Sequence, residues 1–325
     1  MVSSYAMPVV FFREKNMQKV LIFGIGGFVG HYLAEEFHNA GYEVYGSDKV
    51  KTPSVQDYVI FDVAELMDTE SIGTLVQKVA PDMIINLAAI SSVGASWGIP
   101  QTTMVVNVVG ALNIMEAAKN CSTSPKVMFI GSSEEYVTIS EPISEKTELD
   151  ASNPYGISKV TQERFAKLYR DRYGMKIYCV RPFNHTGVGQ RDSFVLPSFC
   201  KQVAEIEKSG KPGVIKVGNL TVQRDFSHVK DIVRAYRLII ESDNCEVVYN
   251  VGSGKAYPLK EILDYLVGLS SQKIEVEVDP ERFRPSDQPV ICCDHSLITK
   301  ELGWEPEFTV FDALKEMYSD YLEGK

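Results

Sequence analysis

Short apolar runs alternate with amphipathic segments along the first half of the chain. The apolar runs have the length and composition of buried strands: QKVLIFG, YEVYGS, DYVIFD, PDMIINLAA, KVMFIG and KIYCVR. The segments between them have helical spacing; in TTMVVNVVGALNIMEAAK, for example, Met104, Val108, Leu112 and Met115 recur every three or four residues. This alternation predicts an α/β fold with a doubly wound parallel sheet and helices on both of its faces.

The pattern changes in the second half of the chain. Beyond about residue 186 it loosens into loops and mixed elements, although VVYNVG indicates one more buried strand. We therefore expect a smaller C-terminal α/β lobe that is interleaved with the first. The expected division is an N-terminal extension over residues 1–17, a main domain over 18–185 with returns near 222–253, and a lobe formed mainly by 186–325.

Composition narrows the class of protein. With 325 residues and 45% hydrophobic residues the chain can bury a large core, and no apolar stretch approaches the length of a membrane span. A net charge of −10 argues against a general affinity for nucleic acid. The six cysteines are scattered without a CxxC pair, which is typical of reduced thiols in a cytoplasmic protein and predicts no metal site.

Three glycines follow the first predicted strand at intervals of three residues: Gly24, Gly27 and Gly30. Such a turn between a strand and a helix lets backbone N–H groups and the positive helix end face a pyrophosphate, although glycines also occur at tight helix–strand contacts. Asp48 ends the second strand about 20 residues later, where a carboxylate accepts hydrogen bonds from an adenosine ribose. Asp62 lies where an adenine could be touched. The pattern indicates a Rossmann-type dinucleotide site, with NAD(H) favoured over NADP(H) because Asp48 repels a 2′-phosphate.

A candidate acid–base pair lies in NPYGISKV. Tyr155 and Lys159 are four residues apart, so a helix places both on one face. An ammonium group and an oxidised nicotinamide both favour the phenolate of a nearby tyrosine. Tyr155 could then exchange a proton with an alcohol or carbonyl while hydride moves at the carbon. The YxxxK spacing also occurs by chance in helices, and here its position after a glycine-rich βαβ opening gives it weight.

These motifs together resemble a known family. GIGGFVG, Asp48, NLAA, NVVG, GSSEEY and YGISK resemble the extended short-chain dehydrogenase/reductase family, in its nucleotide-sugar branch, from about residue 18 onward. In the second half the segments RPFNHTGVGQRDSFVLPSF, GNLTVQRDFSHVKDIVRAY, YNVGSGKAY and DPERFRPSDQPV are similar to GDP-4-keto-6-deoxy-mannose reductases. They are somewhat less similar to GDP-mannose 4,6-dehydratases.

The resemblance implies roles for individual residues. Ser132 would hydrogen-bond the C4 oxygen of the sugar, Tyr155 would be the acid/base, and Lys159 would hold the nicotinamide ribose. Further residues would bind the cofactor: Phe28, Val29, Val63, Leu87, Ala88, Ala89 and Asn107. Others would bind the substrate: Ser92, Glu134, Asn184, Val195, Arg224 and Arg284. We interpret Glu135 as a surface residue and His185 as a packed one.

Two reactions remain open. Glu134 lies where the dehydratases keep the glutamate that removes the C5 proton, and Asp48 also favours a dehydratase. The second-half segments and the absence of an arginine-rich insertion after the second strand favour NAD(P)H-dependent reduction of a GDP-4-keto-6-deoxyhexose. The reductase is therefore the preferred hypothesis and the dehydratase the alternative. A nucleotide-sugar epimerase or a non-catalytic NAD-binding protein is less expected, and the resemblance implies a homodimer.

Overall fold

The computed structural model describes residues 17–137, 139, 141–243, 246–282 and 288–324. The strands in this part of the chain are β1 (Lys19–Phe23), β2 (Glu43–Asp48), β3 (Ile60–Val63), β4 (Met83–Asn86), β5 (Lys126–Ile130), β6 (Ile177–Pro182), β7 (Asn184–Thr186), β8 (Gly213–Val217), β9 (Gln223–His228), β10 (Val248–Val251), β11 (Ala256–Pro258), β12 (Ile274–Val278) and β13 (Val290–Ile291). The helices are α1 (Phe28–Asn39), α2 (Thr69–Val79), α3 (Val93–Gly98), α4 (Pro100–Met104), α5 (Gly110–Lys119), α6 (Pro154–Tyr173), α7 (Val195–Ser209), α8 (Val229–Glu241), α9 (Leu259–Leu269), α10 (Ser296–Leu302) and α11 (Val310–Glu323).

Seven strands form one parallel sheet in the order β10-β6-β5-β4-β1-β2-β3. Alternate residues of β1 point to opposite faces: Val20 and Ile22 belong to a core shared with α1 and α8, and Leu21 and Phe23 to a core shared with α2 and α5. The predicted doubly wound α/β fold is confirmed. The strand order reverses between β1 and β4, so their carboxyl ends open the crevice in which such sheets bind ligands.

Local sequence signals define the helix ends. Asp68 caps α2 by accepting hydrogen bonds from the backbone N–H groups of Glu70 and Ser71. Gly41 follows α1 with φ +86°, and its N–H bonds to the carbonyl of His38. That left-handed residue is the helix stop that the sequence predicts.

The long helix expected over TTMVVNVVGALNIMEAAK is not one regular α-helix. A π-helical turn over Val105–Val109 separates α4 from α5 and contains Asn107. Such turns insert one extra residue into the helix and are frequent at functional sites. The apolar spacing alone cannot reveal this turn, because the extra residue changes the helical phase by only a fraction of a turn.

A further core lies in the second half of the chain. Helices α7, α9 and α11 pack there around Ile215 of β8 and Phe226 of β9. Strand β9 pairs with β11 antiparallel and with β7 and β13 in parallel, while β12 pairs with β8. Among the described residues, no helix is both long and apolar enough to cross a membrane.

Candidate functional site

The glycine turn after β1 is packed closely against the end of β4. Gly24 has φ +79°, its N–H bonds to the carbonyl of Ser47 at 2.8 Å, and a Cβ there would lie 2.6 Å from the backbone nitrogen of Ala88. A Cβ on Gly30 would lie 2.4 Å from the carbonyl oxygen of Ile25. Gly27 is the N-cap of α1. Only glycine therefore permits this approach of backbone to backbone at Gly24 and Gly30.

Asp48 is fixed beside this turn. Its Oδ2 accepts a hydrogen bond from the Gly26 N–H at 3.2 Å, and its Oδ1 accepts one from the Lys49 N–H at 2.8 Å. The hydroxyls of Thr52 and Ser54 donate to the carbonyl of Gly26 at 3.4 and 3.2 Å. The carboxylate is therefore oriented before any ligand arrives, with its charge at the edge of the glycine turn.

The two candidates on β3 differ in their surroundings. Asp62 forms an ion pair with Lys78 at 2.8 Å, so its charge already has a partner. Val63 follows it at the carboxyl end of this edge strand and is 64% exposed. An apolar side chain open to solvent at that edge can pack against a planar ring.

Ser132, Tyr155 and Lys159 lie close together where β5 ends. Ser132 caps the short 3-10 turn Ser133–Glu135, and Tyr155 is in the first turn of α6, whose N-cap is Asn153. Lys159 donates from Nζ to the carbonyl of Ile130 at 2.6 Å, and its Nζ lies 5.9 Å from the centroid of the Tyr155 ring. The structure thus brings together the three side chains to which the sequence assigned the proton chemistry.

Burial dominates the acid–base behaviour of this group. Burial raises the pKa of Tyr155, the side chain of Ser132 lowers it, and the nearby carboxylates of Glu135 and Glu134 raise it. Burial lowers the pKa of Lys159 to about 8, against an opposing contribution from Glu135. Without a ligand, the Tyr155 phenol is therefore held neutral, which is the form that can donate a proton.

Asn107 links the π-helical turn to the segment that follows β4 and to α6. Its Oδ1 accepts from the Ile90 N–H at 2.8 Å, and its Nδ2 donates to the Ile90 carbonyl and to the hydroxyl of Ser158. Ser158 in turn donates to the carbonyl of Tyr155 at 2.6 Å. Asn107 is thus placed to stiffen the segment that follows β4 together with the turn that carries Tyr155.

The two glutamates after Ser132 have different environments. Glu134 is half-buried and accepts a hydrogen bond at Oε2 from Nδ2 of Asn153 at 2.8 Å. Glu135 is fully buried, and its Oε1 accepts from the Ser132 N–H at 2.7 Å. The interpretation of Glu135 as a surface residue is therefore wrong. Burial and the charge of Glu163 raise the pKa of Glu135 to about 8, against an opposing contribution from Arg181 of β6, whose Nε lies 3.9 Å from Oε2.

The substrate candidates are spread over several elements. Asn184 begins β7, which pairs with β9, and Arg224 of β9 donates to the carbonyls of Gln223 and Gln288. Val195 begins α7, and Ser92 caps α3 by accepting from the Ala95 N–H. Arg284 lies outside the described residues.

His185 follows Asn184 on β7. Its ring stacks on that of Phe28 with centroids 6.3 Å apart, and burial lowers its pKa. The contact agrees with its interpretation as a packed, neutral histidine.

Some residues of the site carried little sequence signal. Asn153 could have been found, because an asparagine before proline at a helix start is a typical N-cap. Thr52 and Ser54 could not, since loop hydroxyls carry no distinctive pattern. Glu135 could have been found in part, because Ser-x-x-Glu over residues 132–135 is the pattern of a capping box, in which Glu135 accepts from the Ser132 N–H.

Comparisons with known proteins agree with this geometry. The sequence model of the family described as GDP-mannose 4,6 dehydratase matches residues 21–317. The GDP-6-deoxy-D-mannose reductase of Pseudomonas aeruginosa is 30% identical over 307 residues, which cover 94% of this chain and 97% of the relative. A GDP-mannose 4,6-dehydratase of Vibrio cholerae is 28% identical over 355 residues, with 95% and 94% covered.

A solved structure agrees as well. The structure of RMD from Pseudomonas aeruginosa, complexed with NADPH, has a TM-score of 0.81 and 28% identity, covering 95% of this chain and 100% of that one. The match of the family model extends from β1 into α11 and so includes both the sheet and the C-terminal core. The chain belongs to the GDP-mannose 4,6-dehydratase family, which is one of the short-chain dehydrogenase/reductase families.

Proposed function

We propose that the protein reduces the C4 keto group of a GDP-4-keto-6-deoxyhexose with NAD(P)H, giving a GDP-6-deoxyhexose of the mannose or rhamnose type. The observation that carries this choice is the length of the alignments. The match to the reductase spans 307 residues and the matches to dehydratases span 324 to 355, although all cover nearly the same share of this chain. The alignments with dehydratases therefore need more gaps, which agrees with the absence from this chain of the insertion expected after the second strand.

The residues present fit a nicotinamide dinucleotide. The turn at Gly24 leaves no room for a Cβ. The turn leads into α1, whose positive N-terminal end would face the pyrophosphate. The oriented carboxylate of Asp48 would accept the adenosine ribose hydroxyls, so NADH is favoured over NADPH. Other residues proposed to line the cofactor site are Gly27, Phe28, Val29, Gly30, Asp62, Val63, Leu87, Ala88, Ala89, Asn107, Tyr155 and Lys159.

The proton chemistry belongs to the chain itself. The cofactor, when bound, supplies the hydride to C4 of the sugar. The neutral Tyr155 phenol donates its proton to the C4 oxygen while the hydroxyl of Ser132 holds that oxygen. The Lys159 ammonium faces the Tyr155 ring and stabilises the phenolate that the transfer leaves behind.

The nucleotide diphosphate needs positive charge from the second half of this acidic chain. We assign Arg224 and Arg284 to the phosphates, because a guanidinium group matches phosphate oxygens in pairs. Ser92, Glu134, Asn184 and Val195 complete the proposed substrate site. In this division residues 18–185 and 222–253 hold the cofactor and mainly 186–325 hold the nucleotide sugar.

A dehydratase is the second candidate, and Glu134 is the observation that favours it. Its carboxylate acts on the pKa of Tyr155 and is held by Asn153 at the start of α6. A base for the C5 proton would need such a place beside the acid/base tyrosine.

The Glu134→Gln variant separates the two reactions. Glutamine keeps the oxygen that accepts from Asn153 but cannot take up a proton. For a reductase we expect the variant to keep most of the keto-sugar turnover, and the wild-type protein to leave GDP-mannose unchanged. Loss of water from GDP-mannose in the wild-type protein, abolished in Glu134→Gln but not in a variant of the exposed Glu148, would establish the dehydratase instead.

We also propose that the protein is a homodimer. Helices α3, α4, α5 and α6 pack against one another. They and the π-helical turn leave large apolar side chains exposed: Trp97, Val105, Val109, Ile157 and Leu168. Two-fold pairing of these helices would cover the side chains that a monomer leaves in water.

A further inference from the structure

Asn153 lies between the two segments that carry the candidate chemistry. Ser132 caps the short turn that contains Glu134, and Tyr155 belongs to the first turn of α6. Asn153 is the N-cap of α6 and is 5% exposed. Because Glu134 and Asn153 are 19 residues apart in sequence, only tertiary contacts can fix the glutamate relative to Tyr155.

Both ends of the Asn153 side-chain amide are used. Its Oδ1 accepts a hydrogen bond from the Gly156 N–H at 2.9 Å, and its Nδ2 donates to Oε2 of Glu134 at 2.8 Å. An N-cap requires only an oxygen acceptor, which aspartate or serine would also supply. The contact with Glu134 requires an N–H donor beside that acceptor, which aspartate lacks. The asparagine therefore does more than begin the helix.

The main chains of the two segments are in close contact as well. A Cβ on Gly156 would lie 2.3 Å from the Glu134 carbonyl oxygen and 2.9 Å from Cβ of Ala151, so a larger residue would push the segments apart. This contact fixes the backbone of Glu134 against the first turn of α6. It leaves the direction of the Glu134 side chain open, and the amide of Asn153 sets that direction.

The Glu134 carboxylate retains a free oxygen for a further partner. Among the described residues it forms no ion pair, and Asn153 is the one residue that donates a hydrogen bond to it. The side chain is half-buried, so a ligand can still reach it. With Oε2 held by Asn153, Oε1 is the oxygen that can accept a hydrogen bond from a hydroxyl group of a bound sugar.

We propose that Asn153 is a positioning residue: its amide orients the Glu134 carboxylate toward the sugar, and its oxygen caps the helix that carries Tyr155. The proposal rests on the proposed function in one respect, the contact of Glu134 with the substrate. Asn153 itself touches no reacting atom and acts through Glu134. Loss of its N–H donor should therefore weaken binding of the nucleotide sugar without slowing the proton transfer from Tyr155.

Chemical denaturation of the protein without ligands measures the contact itself. Asn153→Asp preserves the shape of the side chain and the cap but replaces the donor with a second acceptor. We expect this change to raise the equilibrium constant of unfolding about tenfold, since a hydrogen bond to a charged group is lost. In a Glu134→Ala background the same change should have an effect of about twofold at most. Equal effects in the two backgrounds would overturn the proposal.

Kinetics measure what the contact does for the substrate. In Asn153→Asp we expect the KM for the nucleotide sugar to rise about tenfold with kcat nearly unchanged. The rise should be absent when Glu134 is already alanine. The matched control is Asp68→Asn, which exchanges the same two residue types at the exposed N-cap of α2 and should keep the wild-type KM. An unchanged KM in Asn153→Asp, or the same rise in the Glu134→Ala background, would contradict the positioning role.

The same cycle separates this role from the proposed reaction. A fall in kcat that depends on Glu134 would mean that Asn153 orients a glutamate that moves a proton. That result would support the positioning role and contradict the reduction. Because the denaturation experiment uses no sugar, failure of the proposed reduction leaves its result intact.

Discussion

Tyr155, Lys159 and Glu135 show how burial sets chemistry at the scale of single residues. Glu135 lies shortly after β5 and the other two lie on α6, where Lys159 donates to the last carbonyl of β5; each is buried and has a pKa displaced toward its neutral form. A phenol kept neutral is suited to donate a proton, and an ammonium nearby stabilises the charge that the donation creates. Such a group fits the proposed reduction, in which a carbonyl becomes an alcohol.

Removing the Tyr155 hydroxyl should affect turnover and not substrate binding. For Tyr155→Phe we expect kcat to fall by about 10²–10⁴, the range for a positioned general acid. The dissociation constant of the nucleotide sugar should change little, because the ring remains. Tyr173→Phe, on the exposed end of the same helix, is the matched control and should keep wild-type turnover. A fall of less than tenfold in Tyr155→Phe would exclude the assigned role.

Asp48 should decide between the two cofactors. Its carboxylate is oriented by Gly26 and Lys49, so it can accept ribose hydroxyls and repel a 2′-phosphate. We expect calorimetry to give tighter binding of NADH than of NADPH, and Asp48→Ala to weaken NADH binding about tenfold, or about 1.4 kcal/mol. Tighter binding of NADPH by the wild-type protein, or an unchanged preference in the variant, would contradict this role.

The turn from β1 to α1 is the element that shapes the crevice. It brings the backbone of Gly24 against Ala88 at the end of β4, across the point where the strand order reverses. The shape of the turn depends both on a left-handed residue and on the absence of a Cβ, and these two requirements can be measured separately.

Alanine substitutions at three glycines separate the cost of a left-handed backbone from the cost of a clash with the added Cβ. Gly24→Ala combines φ +79° with a clash against Ala88, and should lower the free energy of unfolding by about 1–3 kcal/mol or more. Gly41→Ala has φ +86° with open space around it and tests backbone strain alone. Gly73→Ala, inside α2 with open space, should raise the free energy of unfolding by about 0.5–1 kcal/mol. Chemical denaturation that gives equal costs at Gly24 and Gly41 would remove the clash from the explanation.

The sequence predicted helices and strands correctly where their burial follows from the apolar pattern of neighbouring residues. The inner strands β1, β4 and β5 are nearly continuous apolar runs, and the predicted helix cap at Gly41 carries its own conformational signal. Strands such as β7, β11 and β13 are two or three residues long, too short for periodicity to show. The Ser-x-x-Glu pattern over residues 132–135 encodes the capping box of Glu135, but the burial of Glu135 and the π-helical turn at Asn107 involve distant elements, which no local pattern encodes.

At the scale of the whole molecule, one group of exposed apolar side chains lies on the helices around Tyr155. Val105 and Val109 are one turn apart, and Ile157 and Leu168 lie about three turns apart on α6. Covering this surface in a dimer would also support the helix that carries Tyr155 and Lys159. In the expected dimer, the interface would therefore include the helix that carries these two site residues.

Charged substitutions should disrupt such a dimer. We expect sedimentation to give a dimer at micromolar concentration for the wild-type protein, and a monomer for Val109→Glu combined with Leu168→Glu. The control is Val214→Glu on β8, which is similarly exposed but distant in sequence and on another element, and it should remain dimeric. A wild-type monomer, or dissociation of the control alone, would refute the proposed interface.

The stoichiometry of the reaction tests the central claim most directly. The purified wild-type protein is incubated separately with GDP-4-keto-6-deoxymannose and with GDP-mannose in the presence of NADH, following absorbance and identifying the products. The reductase assignment predicts one NADH oxidised per keto-sugar converted to the 6-deoxy alcohol, with GDP-mannose unchanged. Conversion of GDP-mannose to its 4-keto-6-deoxy product without net consumption of cofactor would contradict it.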